Sequence, residues 1–287
     1  GVYTDTGSLS NSSIVAKETI SFSYPKICHF LSDGYLNTGK LFIYDIGHYK
    51  SEFTDSIKLI EKSDIKKLWK KRSPLLNKFT KGKILSYCGT REYVGAGNLT
   101  TKAAMITGAG IIKRIIPESI YHKTTNIDEI IDVIINDDGL GFLTIKNYLD
   151  IEKLFNWADC LVVGPGISTE PESQDLIVRI LSAYSGKCIV DAGALLLSDF
   201  RNSRLDCFPT ESILTPHYGE FAKMLDIDSK ELYSDTIRIV RSFADSLGKR
   251  VLILKGANTI IATGDKKIYI INNGNNLLST AGSGDVL

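Results

Sequence analysis

Residues 281–287 read AGSGDVL. In Gly282-Ser283-Gly284 followed by Asp285, small residues let successive backbone N–H groups converge on an anion, and a helix starting there adds the positive end of its dipole. A carboxylate at that point can take the proton of a substrate hydroxyl while the N–H groups hold a migrating phosphoryl group. Alone, the same residues also describe an ordinary Gly-Ser turn with an acid in the first turn of a helix. Other residues of chemical interest share one kind of position, just after a short apolar run. GTREYVGAG follows KILSYC, Gly164-Pro165-Gly166 follows CLVV, Asp191 ends KCIV, Thr215-Pro216-His217 ends SIL, and Lys255-Gly256 ends RVLIL.

The apolar runs are buried-strand patterns, and helical spacing lies between them, as in GNLTTKAAMITGAG and the amphipathic PESQDLIVRILSAY. Strand and helix in alternation imply an α/β fold with a parallel sheet covered on both faces. In such a sheet ligands bind beyond the C-terminal strand ends, so five unusual loops on one edge predict a site there. TIIATGDKKIYII departs from the alternation. Two strands about Thr263-Gly264-Asp265 predict a hairpin, so part of the sheet is antiparallel. Residues 1–50 read as a small β-rich piece (ETISFSY and KLFIYDIG), residues 51–80 as a polar, helix-prone linker and residues 81–287 as the large domain.

The chain has 287 residues, 43% hydrophobic and 23% charged, with a net charge of +1. That balance gives no support for nucleic acid or a membrane as partner. The basic cluster Lys66, Lys67, Lys70, Lys71 and Arg72 reads as a solvated helix face. Five scattered cysteines without a Cys-x-x-Cys pair, and four histidines away from them, argue against a structural zinc site and for a reducing cytoplasm. No apolar stretch is long enough to span a bilayer. No Gly-x-x-x-x-Gly-Lys-Ser/Thr occurs, and GAGIIK places Lys113 where a dinucleotide fingerprint needs its third glycine.

Taken together and in this order, GTREYVGA, VVGPG, DAGAL, LTPHYGEFAKML, LKGANTIIA and AGSGDVL resemble the ribokinase-like NAD(P)H-hydrate dehydratase family. GVYTDTG, KETISFSYPK and GKLFIYDIG resemble the tail of the epimerase domain that precedes the dehydratase in the fused repair enzymes. The resemblance implies a three-layer α/β, ribokinase-like domain with a mostly parallel central sheet, preceded by a small β-rich remnant of the epimerase domain. On this reading the chain begins inside one domain and stops inside the next, and the epimerase's own catalytic residues lie upstream of Gly1. The implied chemistry is repair of hydrated NADH or NADPH. ADP or ATP phosphorylates the extra ring hydroxyl, and phosphate then leaves.

Carried over by position, the resemblance makes Asp285 the catalytic carboxylate, in contact with the hydrate, and Gly282, Ser283 and Gly284 the anion hole. Lys255, Gly256, Ala257, Asn258 and Thr259, with Gly284, line the nucleotide site. Ala96, Gly166 and His217 contact the hydrated dinucleotide, and Glu220 orders a water on Mg2+. His217 and Glu220 equally suit the start of a helix, and Asp191 suits a structural role. Also implied are K+ in the epimerase part, a homo-oligomer and a cytoplasmic location. Tyr218 stands where the family usually has proline, and Ser283 where threonine is common. The rival expectations are a small-molecule kinase of the same fold and a non-catalytic nucleotide-binding regulator.

Overall fold

The computed structural model describes residues 1–47, 57–197 and 205–287, so residues 48–56, part of the stretch read as the end of the first unit and a linker, lie outside the described residues. The first unit contains β1 (Glu18–Phe22), α1 (Ser32–Thr38) and β2 (Lys40–Tyr44). Its two strands pair in parallel, Ile20 opposite Phe42. The segment just before α1 leaves this small sheet, and Phe30 and Leu31 are buried in the main hydrophobic core.

Within the stretch read as a linker, β3 (Lys58–Leu59) is followed by α2 (Lys62–Leu68). Lys66 and Lys67 are exposed on α2, as a solvated helix face requires; Lys70 and Lys71 are exposed too, but lie beyond the end of that helix. Arg72 is used differently. Its guanidinium donates to the carbonyls of Thr107 and Gly108 (3.1 and 3.0 Å), satisfying carbonyls beyond the end of a helix of the large domain.

That domain runs β4 (Lys83–Tyr87), α3 (Val94–Ile106), β5 (Ile111–Pro117), β6 (Ile130–Ile135), α4 (Tyr148–Glu152), β7 (Cys160–Val163), α5 (Pro171–Ala183) and β8 (Lys187–Val190). It continues through β9 (Ser212–Leu214), α6 (Tyr218–Leu225), α7 (Ser229–Ser234), α8 (Thr236–Ala244), β10 (Val251–Leu254), β11 (Thr259–Thr263), β12 (Ile268–Ile271) and α9 (Ser283–Val286). Among the described residues ten strands form one sheet in the order β3-β12-β11-β10-β9-β8-β7-β4-β5-β6. From β10 to β6 every pairing is parallel, whereas β11 runs against both β10 and β12. The β11–β12 turn is the hairpin expected at Thr263-Gly264-Asp265, closed by Thr263 N–H on the Lys267 carbonyl (3.1 Å).

The chain winds from β4 toward β6 on one side and from β7 toward β10 on the other. Right-handed crossovers in opposite directions place their helices on opposite faces, α3 on one and α5, α6 and α8 on the other, giving three layers. α4 packs on α5 accordingly. Leu85, Tyr87, Leu161, Val163, Val190, Leu214, Leu252 and Leu254 share one face of the sheet and have no exposed surface. On the other face Ser86 and Val162 are buried, while Ile189, Ile213 and Ile253 are half-buried, so both faces carry apolar residues and the strands read as runs without alternation.

Candidate active site

The reversal of winding places the C-terminal ends of β4 and β7 side by side, the crevice where an open α/β sheet binds its ligand. The two loops there are tied together. Gly89 N–H donates to the Pro165 carbonyl and Thr90 Oγ1 to the Gly166 carbonyl, both at 2.8 Å. Gly166 has φ +64°, and a Cβ on it would lie 2.8 Å from the Ala96 Cβ and 2.9 Å from the Tyr93 Cβ. Glycine is therefore required, and Ala96 and Gly166, seventy positions apart in sequence, meet in one wall.

Across the crevice the ends of β8, β9 and β10 converge on Asp191. Its Oδ1 accepts from Lys255 Nζ and from Thr215 Oγ1, each at 2.7 Å, and the residue is 5% exposed. Asp191 thus does more than end a strand: it holds the Lys255 ammonium at the mouth of the site. Sequence reading left this pair unassigned, because the partners are sixty-four positions apart. The available signal was their common place at strand ends.

The AGSGDV turn reaches this cluster from the C-terminal side. Gly282 adopts φ +84° and sets the turn, and Ser283 opens α9. The turn rests on α3. A Cβ on Gly282 would strike Leu99 Cδ1 at 2.6 Å, and one on Gly284 would lie 3.6 Å from Lys255 Nζ. The Ser283 hydroxyl donates to the Thr280 carbonyl (2.9 Å) and closes the turn. Asp285 is half-buried. Burial raises its carboxyl above the usual carboxylate range, the negative charge of Asp191 adds to this, and Lys255 opposes it. A carboxylate so placed holds a proton more tightly than one in water and is the better base. Cys88, at the end of β4, is pushed up to about 12 by burial, so its thiol is inert at neutral pH.

Beside this cluster a cleft of about 730 Å³ runs between Ser283–Gly284 and the Lys255–Ala257 loop, with Thr259 and His217 on its walls. Asn258 differs from its loop neighbours. It is 3% exposed, and its Nδ2 donates to the Phe30 carbonyl (2.6 Å), so its side chain turns away from this cleft. His217 caps α6: its Nδ1 accepts from Glu220 N–H (3.2 Å), and Glu220 Oε2 accepts from His217 N–H (2.8 Å). This reciprocal box fixes the ring with Nε2 as its remaining donor, 3.4 Å from Glu220 Oε1. Both residues therefore serve the helix start, while His217 also faces the cleft. Tyr218 stacks on Tyr233 (centroids 4.6 Å apart, planes 6° apart) and packs against Gly256, where a Cβ would lie 2.8 Å from the tyrosine ring. Among the described residues no group of three or more His, Cys, Asp or Glu converges to hold a metal ion directly.

The family model for NAD(P)H-hydrate dehydratase matches residues 84–287, which include every strand-end loop described above. The chain belongs to the NAD(P)H-hydrate dehydratase family. It is 33% identical to the bifunctional NAD(P)H-hydrate repair enzyme Nnr of Moorella thermoacetica and 30% identical to that of Thermofilum pendens, aligning over 100% of this chain and 55% of each relative. The chain thus spans about half the length of the curated relatives it matches. Among solved structures, the ADP/ATP-dependent NAD(P)H-hydrate dehydratase of Bacillus subtilis, co-crystallised with ATP/Mg2+, is 25% identical at a TM-score of 0.65, over 80% of this chain and 78% of that one. A ribokinase-like superfamily protein of Enterococcus faecalis is 18% identical at a TM-score of 0.67, over 83% and 79% respectively, and shares the fold. The three-layer, mostly parallel sheet is therefore ribokinase-like, as the sequence resemblance implied. No helix among the described residues is long and apolar enough to cross a membrane.

Proposed function

We propose that the chain carries out the nucleotide-dependent dehydration of hydrated NADH or NADPH. The observation that carries this reading is the convergence, in a member of the dehydratase family, of Asp285, the Gly282–Gly284 turn and the Lys255–Asp191 pair at one end of the nucleotide-sized cleft. Asp285 takes the proton of the ring hydroxyl as its oxygen bonds to the terminal phosphorus of ADP or ATP and the bridging P–O bond breaks. AMP or ADP departs. The C–O bond of the phosphorylated ring then breaks, inorganic phosphate leaves with both bonding electrons, and loss of a proton from the adjacent carbon restores the double bond. Lys255 and the backbone N–H of Gly284 offset the negative charge of the migrating phosphoryl group, while the Ser283 N–H, on the Thr280 carbonyl (3.3 Å), holds the turn in shape. Asp191 keeps Lys255 in place and raises the proton affinity of Asp285.

Ala96 lies on α3, against which the Asp285 turn packs, so the Ala96–Gly166 wall suits the hydrated ring; His217 lines the neighbouring cleft and would meet the hydrate from there. Gly256, Ala257, Thr259 and Gly284 line the nucleotide side, with Asn258 setting the loop from behind. Magnesium would travel on the nucleotide phosphates, which fits the absence of a direct three-ligand set among the described residues, and Glu220 would reach it through water. The bound ion would neutralise phosphate charge. Residues 1–50 are assigned to the epimerase unit of a bifunctional repair enzyme, a reading supported by the bifunctional relatives aligned over the whole chain.

The test is to incubate the chain with hydrated NADH and either ADP or ATP and to follow the reduced dinucleotide and inorganic phosphate together. Equal amounts of both support the reading. A stable phosphate ester would instead make the protein a small-molecule kinase, and nucleotide binding without turnover a regulator.

A further inference from the structure

The nucleotide cleft has a wall that the dehydratase domain does not supply. Tyr35, from α1 of the first unit, lines it together with Lys255, Ala257 and Gly284. It is the only phenylalanine, tyrosine or tryptophan among the described residues of that lining. Tyr35 also lines a second cleft, of about 560 Å³, on the far side of the Gly256–Asn258 loop, which neither Ser283 nor Gly284 reaches. The ring therefore stands at the end of the nucleotide cleft away from the anion turn and Lys255.

Two hydrogen bonds tie the start of α1, the helix that carries Tyr35, to the large domain. Asn258 Nδ2, in the nucleotide loop itself, donates to the Phe30 carbonyl (2.6 Å), and Ser32 Oγ, at the start of α1, donates to the Tyr233 carbonyl (2.6 Å). Phe30 and Leu31 are 6% and 4% exposed within the main core, and Tyr35 N–H donates to the Leu31 carbonyl (3.2 Å). The helix that carries Tyr35 and the loop Lys255–Asn258 are thus held together, although they lie more than two hundred positions apart in sequence.

We propose that Tyr35 binds the purine base of the nucleotide, so that the first unit completes the nucleotide site of the second. This rests on the reading of the cleft as the nucleotide site. A phosphate chain on Lys255 and the anion turn would extend its base toward the opposite end. There a flat aromatic face next to Ala257 and Leu278 offers what a purine ring recognises, stacking and apolar contact.

The experiment measures binding of ADP and of inorganic pyrophosphate, a probe with the charges but no base, by calorimetry on the full chain and its Tyr35→Ala, Tyr35→Phe and Lys255→Met variants. Tyr35→Ala should weaken ADP about tenfold, in the range of a lost base–aromatic stack, and leave pyrophosphate within about twofold. Tyr35→Phe should retain ADP affinity, and Lys255→Met should weaken both ligands. If Tyr35→Ala does not fold, Tyr35→Leu keeps the bulk without the aromatic face and should show the same selective loss. Equal losses for ADP and pyrophosphate in the Tyr35 variants, or unchanged ADP binding, overturn the assignment of Tyr35 while Lys255-dependent binding keeps the nucleotide site standing. ADP binding that is absent, or indifferent to Lys255→Met, overturns both.

Discussion

Asp191→Asn separates the roles of the central charges. The asparagine keeps the size and one acceptor, so the Thr215 hydroxyl retains a partner, but the Lys255 ammonium loses its counter-charge. Removing one partner of a buried pair costs about 3–5 kcal/mol. The Lys255 side chain is 19% exposed and water can reach it, so about 2–4 kcal/mol is expected, or a melting temperature lower by roughly 4–16 °C for a domain of this size. The pH profile should move as well. Asp285 must be ionised to act as base, so kcat/KM falls as the pH drops through its raised pKa. The charge of Asp191 is one cause of that elevation and Lys255 opposes it, so the variant lowers the Asp285 pKa and the acidic limb shifts to lower pH. Thermal unfolding and a pH series of kcat/KM with hydrated NADH read both effects. A variant as stable as the parent, with its acidic limb unmoved or shifted to higher pH, refutes the coupling of these three groups.

Two further substitutions probe the site's supports. Arg114 is 1% exposed and bonds Asp132 through Nε (2.9 Å) and Nη2 (3.0 Å), so Arg114→Met should cost about 3–5 kcal/mol in denaturant unfolding, and adding Asp132→Leu should restore part of it, since Asn98 Oδ1 and the Thr125 carbonyl also lose their donor. Gly166→Ala places a methyl group 2.8 Å from the Ala96 Cβ at φ +64°. It should cost about 1–3 kcal/mol and raise KM for the hydrated dinucleotide while nucleotide affinity holds, as separate titration of the two substrates would show.

The strand-end loops were legible in the sequence because β4 and β7–β10 carry apolar residues on both faces, covered fully on one and at least partly on the other, and so appear as apolar runs with punctuation after them. The β11–β12 hairpin and the helix opening at Ser283 carried their own turn residues. β5 and β6 were not legible. Lys113, Arg114 and Asp132 interrupt their apolar runs, and only the fold shows that Arg114 and Asp132 neutralise each other across neighbouring strands. β3, two residues on the sheet edge, is too short to leave a pattern. The pairing of Lys255 with Asp191, the turning of Asn258 toward Phe30 and the arrival of Tyr35 from another unit are long-range facts, and no local propensity encodes them. The His217–Glu220 capping box, by contrast, was readable as a three-residue spacing before an apolar run.

The central claim is that Asp285 is the base of the dehydration, and Asp285→Asn tests it most directly. The substitution keeps the side-chain volume and removes the proton acceptor. Turnover of hydrated NADH should fall by roughly 10²–10⁴, while ADP or ATP affinity, set by Lys255 and backbone N–H groups, should stay within about threefold. Turnover close to that of the parent chain would contradict the account and leave Asp285 as no more than the acid that opens a helix.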